Sequence, residues 1–243
     1  MKIVVVMPAY NAEKTLKQTY YDIPKDIVNE IILVDDASHD ETIKVAKSLG
    51  IKVFTHPKNL GYGANQKTCY KEALKLNPDI VVMLHPDYQY DPKLIPSLVQ
   101  PIIEGKADLV LGSRLLNLNP VANGMPVYKY ISNRFLTFLE NIILNQNLSE
   151  FHTGFRAYSR RLLENIRLEE NSNDFVFDQE LIVQAVALKY KIAEIPCPAK
   201  YFKEASSINF IRSVKYGIDI LILLVKYILH KLKIKKFTQF LSK

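Results

Sequence analysis

Tryptophan is absent from the 243 residues, cysteine nearly so, and no apolar run is long enough to span a membrane. Two cysteines, Cys69 and Cys197, make neither a disulfide framework nor by themselves a metal cluster, and they suit a reducing compartment. The N-terminal apolar run stops at Pro8, too early for a signal peptide, and reads as a buried first strand. The other apolar stretch, GIDILILLVKYIL at 217–229, is interrupted by Asp219 and Lys226 and is shorter than the roughly 20 residues of a spanning helix. There is no internal repeat, no low-complexity segment and no clean linker, so the chain is expected to fold as one unit.

An acidic excess is also missing, and the basic one is localised. Residues 1–190 carry 21 Lys/Arg against 22 Asp/Glu, whereas residues 191–243 carry 11 against 3, so the tail holds the whole net charge of +7. A nucleic-acid-binding fold spreads basic residues over the domain with aromatics among them; that partner is not expected here. Within the tail, Arg212, Lys215, Asp219, Lys226, His230 and Lys233 fall on one helical stripe, and Ile218, Ile220, Leu221, Leu223, Leu224, Val225, Ile228 and Leu229 cover the rest. Such a face packs on the protein's own core or on a second copy of the chain, or it lies in a bilayer interface with Lys231, Lys233, Lys235 and Lys236 on anionic headgroups. The basic cluster directly after the apolar run favours the membrane surface.

What is present is an alternation of short β-branched runs with helical patterns. Strands are expected at 3–7, 30–34, 52–55, 80–84 and 108–111, with helices near 12–22, 40–49, 63–75 and 92–104. Strands apolar throughout and separated by helices give an α/β fold with a mostly parallel sheet covered on both faces, where ligands sit beyond the strands' C-terminal ends. A loop at 112–126, a long helix at Val127–Leu144, a strand at 154–159, a helix near 179–189, a strand at 191–195 and the C-terminal helix follow.

The loops after the strands carry the chemistry. PAYNAE follows the first strand, and its Tyr10 can stack on a base. VDDASHDET follows the second; capping explains Asp40 but not Asp35 and Asp36, which are costly to bury without partners. HPDYQYDP follows the fourth; Asp91 before Pro92 reads as a helix start, while His85, Asp87 and Gln89 offer donors where a metal–diphosphate can sit.

Together MPAYNAEKTL, EIILVDDASHDET, HPKNLGYGANQKT, MLHPDYQYDP, LGSR, HTGFRAYSR and FDQELIVQA, in that order, resemble the inverting family 2 glycosyltransferases of the Rossmann-like GT-A fold, and within them the dolichyl- and polyprenyl-phosphate sugar synthases. The resemblance implies a glycosyltransferase domain over 1–211, with a nucleotide-sugar half (1–115), an acceptor half (116–211) and a basic amphipathic helix beyond (212–243). It implies that Pro8, Tyr10, Asn11, Glu13, Val34, Asp36 and Pro86 hold the nucleotide sugar, with Lys200 and Lys203 reaching its diphosphate; Glu13 stands one place later than the family's glutamate. It puts Asp87 on the last Asp of the family's D-x-D metal motif, His85 on the first and Gln89 close by, around Mg²⁺ or Mn²⁺, of which His85 suits Mn²⁺ better. Arg114 and Arg156 join Asp87 and Gln89 as catalytic candidates, and Lys129, Ser132 and Glu150 as acceptor-binding ones.

The activity implied is transfer of one hexose from a GDP-mannose- or UDP-glucose-type donor to polyprenyl phosphate at the cytoplasmic membrane face. A phosphate acceptor is already an anion and needs cations rather than a base. A sugar-hydroxyl acceptor would need one, with Glu150 or Asp178 as candidates. The missing tryptophan rules out the Q-x-x-R-W motif of processive polysaccharide synthases. His85 in the metal motif raises a third reading, a non-catalytic nucleotide-sugar-binding membrane protein.

Overall fold

The computed structural model describes residues 1–201 and 210–243. Its centre is β1 (Ile3–Ala9), a strand buried at every position because both its faces are covered. Around it lie β2 (Glu30–Asp35), β3 (Lys52–Thr55), β4 (Ile80–Met83), β5 (Leu109–Ser113), β6 (Arg156–Ser159) and β7 (Ile192–Pro196), ordered β3-β2-β1-β4-β6-β5-β7. All neighbouring pairs are parallel except those of β6, which runs antiparallel to β4 and β5. The helices are α1 (Leu16–Asp22), α2 (Thr42–Ser48), α3 (Tyr62–Leu74), α4 (Ile95–Ile103), α5 (Val127–Leu144), α6 (Arg160–Asn165), α7 (Phe177–Ala187) and α8 (Phe210–Lys231). The alternation expected from the sequence is this sheet; among the α-helices of the described residues the short α6, started by the Ser159 hydroxyl accepting from the Leu162 amide, went unforeseen.

Two topological facts place the site. The chain leaves β1 toward β2 on one side and meets β4 on the other, so a crevice opens beyond their C-terminal ends. Because β6 is reversed, with Arg156 opposite Met83, its N-terminal approach (residues 150–155) meets the end of β4 at that same edge.

Two apolar layers flank the sheet. One contains Val4, Val6, Tyr70, Val81, Phe151, Phe177 and, from α8, Ile220, Leu223, Leu224 and Tyr227. The other contains Val5, Met7, Leu16, Leu33, Val82, Ile95 and Leu98. The C-terminal helix is thus a component of the core. Its opposite side stays uncovered: Ile218, Leu221, Ile222 and Val225 are exposed. Packing on the protein's own core, one of the alternatives the sequence offered, therefore holds for one face of this helix.

Helix α5 is inverted. Its buried residues are Asn133, Thr137, Glu140 and Leu144, while Val127, Ile131, Phe135, Phe138 and Ile142, spaced four, four, three and four apart, are each more than half exposed. A surface helix normally turns its apolar stripe inward; this one turns polar groups toward the site and hydrophobic ones outward, beside α8. Among the described residues no helix is long and apolar enough to cross a membrane.

Candidate active site

A cleft of about 770 Å³ opens beyond β1 and β4. Tyr10, His85, Asp87 and Gln89 line it from the loops after β1 and β4, Arg114, Lys129 and Ser132 from the end of β5 and the first turns of α5, and Phe135 and Leu136 of α5 with Phe210, Val214, Ile218 and Leu221 of α8 form an apolar trough between those two helices.

Pro8 and Val34 are buried partners on β1 and β2, and Tyr10, just beyond β1, is half exposed, edge-on to His39. Asp36 is engaged more than the sequence suggested. Its carboxylate accepts the amides of Leu60 and Gly61 and lies 2.7 Å from His56 Nδ1. It therefore shapes the turn into α3, where Gly61 adopts φ +99°. Asp35 instead keeps one buried oxygen without a hydrogen-bond partner among the described residues, the other accepting from the Ser38 amide. Asn11 and Glu13, expected at the nucleoside, use side-chain oxygens to tie two loops: Asn11 Oδ1 accepts from the His39 amide and Glu13 Oε2 from the Glu41 amide. Pro86 is buried, its carbonyl accepting from the Thr19 hydroxyl.

Asp87 is 7 % exposed, and its Oδ1 accepts the Gln89 amide at 3.0 Å. Beside it, the His85 ring stacks on Tyr62, with Nε2 3.1 Å from the Tyr62 hydroxyl. Among the described residues no group of three His, Cys, Asp or Glu converges. The donor set matches a hard divalent cation that takes one or two protein ligands and completes its shell with substrate phosphates and water. Asp87 and His85 fit that requirement.

Lys200, expected at the diphosphate, is exposed, stacks its ammonium 4.0 Å over the Tyr88 ring and is not among the cleft's lining residues; its amide donates to the Gln89 carbonyl. Lys203 lies outside the described residues.

Arg114 stands on the cleft wall and is fixed from behind. Its Nε donates to Glu150 at 2.9 Å, its Nη2 to Glu150 and to the His152 carbonyl, and its backbone amide to Glu150 Oε2 at 2.7 Å. Glu150 is fully buried, also accepts from Asn133 of α5, and does not line the cleft. The expectation that it binds acceptor or serves as a base is thus corrected: burial raises its carboxyl, but the charge and hydrogen bonds of Arg114 outweigh this and hold it below the usual range. Its role is to position Arg114. The Tyr201 hydroxyl, 3.4 Å from Arg114, is pushed by burial up to about 12.

Arg156 is likewise corrected. It is 0 % exposed, and its guanidinium donates to the carbonyls of Thr153, Asp178 and Phe151, which leaves it in the framework rather than in the cleft. Its nearest carboxylate is Asp178, at 3.9 Å.

Lys129 and Ser132 do line the cleft, in the first turns of α5. Burial, then the nearby Arg114 charge, lower the Lys129 ammonium. The Ser132 hydroxyl donates to the Tyr128 carbonyl. Arg212, at the start of α8, also lines the cleft; from the sequence it was placed only on the charged stripe of that helix. Tyr62, His152 and Tyr216 were not singled out from the sequence, since their contacts arise only when α3, α7, α8 and the loop before β6 converge. The signal that pointed nearest was Gly154 in HTGFR: a Cβ there would lie 2.9 Å from His85 Cδ2, so only glycine lets that ring in.

Known proteins resemble this chain in sequence and in fold. An uncharacterized protein of Methanocaldococcus jannaschii is 31% identical over 85% of this chain and 84% of its own. A UDP-N-acetylglucosamine–dolichyl-phosphate N-acetylglucosaminyltransferase of Methanococcus voltae is 29% identical over 82% of this chain and 86% of its own. Glucosyl-3-phosphoglycerate synthase of Mycobacterium tuberculosis, solved with Mn²⁺, UDP-glucose and phosphoglyceric acid, shares the fold at a TM-score of 0.70 and 20% identity, over 93% of this chain and 79% of that one. The model of glycosyl transferase family 2 matches residues 4–167, which take in the first six strands and the loops after β1, β2 and β4. The chain belongs to that family: it is a family 2 glycosyltransferase of GT-A fold.

Proposed function

We propose that the protein transfers a single hexose, with inversion, from a UDP- or GDP-sugar to the phosphate of a polyprenyl or dolichyl lipid at a membrane surface, on its cytoplasmic face. The observation that carries this reading is the cleft's continuity. The one cleft takes in Asp87, the cations Arg114, Lys129 and Arg212, and the apolar trough between α5 and α8. A ligand filling the outer part has an anionic head and a hydrocarbon tail. The Methanococcus voltae relative, named for a dolichyl-phosphate acceptor and a UDP-sugar donor, supports the same pairing.

In this reading Tyr10, Pro8 and Val34 receive the nucleoside, and Asp36 sets the turn beside it. Asp87, His85 and Gln89 face the diphosphate; Mg²⁺ or Mn²⁺ bound there would offset the charge that the leaving diphosphate gains. The anomeric C–O bond breaks with its electron pair going to the diphosphate, and an acceptor phosphate oxygen forms the new C–O bond from the opposite side. Arg114, held rigid by Glu150, supplies a fixed cation at the reacting centre, while Lys129 and Arg212 orient the acceptor phosphate. Incubation with labelled UDP- and GDP-sugars and polyprenyl phosphate tests this. Failure to form a lipid-linked sugar from any common donor would overturn it.

A hydroxyl acceptor is the second reading, and one observation favours it: of the two base candidates, Asp178 lines the cleft. Transfer to a sugar hydroxyl that is lost in Asp178→Asn, with lipid phosphate inert, would select it.

A further inference from the structure

The site carries a buried chain of hydrogen bonds that ends on the histidine standing in the family's acidic motif. The Tyr70 hydroxyl donates to Gln66 Oε1 at 2.9 Å, which orients the Gln66 amide so that its Nε2 donates to Asp178 Oδ1, also at 2.9 Å. The second Asp178 oxygen accepts from the Tyr62 hydroxyl at 2.7 Å. A phenol has one proton, and it is committed to the carboxylate. The contact between Tyr62 and His85 Nε2 at 3.1 Å is then a hydrogen bond only if Nε2 carries the hydrogen.

The ring is also held in place. It stacks on Tyr62 with centroids 5.4 Å apart at 19°, and the backbone of Gly154 closes on its Cδ2–Nε2 edge. In the neutral imidazole with hydrogen on Nε2, Nδ1 has the lone pair, and Nδ1 makes no hydrogen bond to a described residue. His85 and Asp87 line the same cleft.

We propose that Asp178 and Tyr62 fix the His85 proton on Nε2 so that Nδ1 serves as a nitrogen ligand to a divalent cation beside Asp87, and that this nitrogen biases the site toward Mn²⁺ over Mg²⁺. The proposal rests on the divalent-cation reading above. Tyr62 and Asp178 are positioning residues here, doing for His85 what outer carboxylates and hydroxyls do for metal-ligating histidines generally. An imidazole nitrogen is tolerated by Mn²⁺ better than by Mg²⁺, which takes oxygen almost exclusively.

Two measurements on the full chain test it. In metal-free protein labelled with ¹⁵N-histidine, long-range ¹H–¹⁵N spectra should show His85, assigned by its loss in His85→Gln, as the Nε2–H tautomer; Tyr62→Phe, which keeps the ring stack, should give a mixture. With Mn²⁺ and UDP, or GDP, pulsed electron paramagnetic resonance should show directly bound nitrogen that disappears in His85→Asp. Tyr62→Phe should weaken Mn²⁺ about 10- to 100-fold while changing Mg²⁺ much less. An Nδ1–H tautomer in the native protein overturns the proposal. So does Mn²⁺ bound without nitrogen coupling, which leaves the cation reading intact. Nucleotide binding with no affinity for either cation overturns both.

Discussion

Glu150 lies wholly buried behind Arg114 and accepts three of its N–H groups, two from the guanidinium and one from the backbone. A buried carboxylate in that position is a support, and removing it leaves the largely buried Arg114 cation on the cleft wall without its counter-charge. Glu150→Gln should therefore destabilise the fold by about 3–5 kcal/mol, read from chemical denaturation. It should also depress turnover without altering the shape of the pH–rate profile. Loss of a pH–rate limb would mean that Glu150 acts as a base after all.

The same pair has a pH signature. Because the folded-state pKa of Glu150 is depressed below the ordinary value of 4.5, the stability it contributes is present above that value and fades as pH falls through the folded pKa. Glu180 and Glu194, which burial raises, act in the opposite sense, so the variant must be compared with the native protein. The stability gap between native protein and Glu150→Gln should be constant near neutrality and narrow only below about pH 4.5. A gap that changes between pH 6 and pH 8, on urea titration, would assign the effect to another group.

Lys129 and Arg212 both line the cleft, from the starts of two different helices. Each charge-assisted bond to a phosphate is worth about 1.5–3 kcal/mol, so Lys129→Ala or Arg212→Ala should raise the KM for the lipid phosphate roughly 10- to 100-fold. Nucleotide affinity by calorimetry should stay nearly constant. Equal losses in donor and acceptor binding would move these residues to the diphosphate.

Two glycines separate packing from propensity. Gly63 in α3 lies so close to the segment before α7 that a Cβ would be 2.5 Å from the Ser172 carbonyl oxygen and 2.8 Å from Phe177 Cβ. Gly63→Ala should cost about 1–3 kcal/mol. Gly217 in α8 has only Leu136 Cδ1 near, at 3.9 Å, and ordinary helical geometry. Gly217→Ala should raise stability by about 0.5–1 kcal/mol. Thermal melts of the two variants should move in opposite directions.

The sheet was legible because its strands are apolar on both faces, a pattern that local sequence carries by itself. The loop chemistry was legible in part. Asp87, Arg114 and Lys129 line the cleft where their motifs put them, whereas Glu150 and Arg156 occupy the layer beneath. Sequence gives residue type and order but not depth, and a charged side chain one layer down looks the same as one at the surface. The reversal of β6, which brings Gly154 against His85, depends on pairing between residues far apart in the chain, as does the relay through Tyr62. For α5 the helical period was visible, but which face turns inward is decided by partners such as Glu150 and His152.

That inverted helix changes how membrane attachment should be tested. Deleting residues 212–243 would strip Ile220, Leu223, Leu224, Tyr227 and Phe240 from the core and unfold the protein, so loss of vesicle binding would be uninformative. Substitutions on the exposed faces avoid this. Phe138→Ser with Ile142→Ser on α5, or Ile222→Ser with Val225→Ser on α8, remove apolar surface that touches no core residue's burial. At about 25 cal/mol per Å² of surface removed from water, losing two such side chains should weaken binding to anionic vesicles by on the order of 10-fold or more, with the melting temperature held. Neutralising Lys231, Lys233, Lys235 and Lys236, all exposed at the end of α8, should weaken it further and mainly at low salt. If the α8 and lysine changes act while the α5 pair does not, the bilayer meets the C-terminal helix alone. If both helix pairs act alike, the trough between them opens directly onto the lipid surface, and an acceptor can enter the cleft without leaving it.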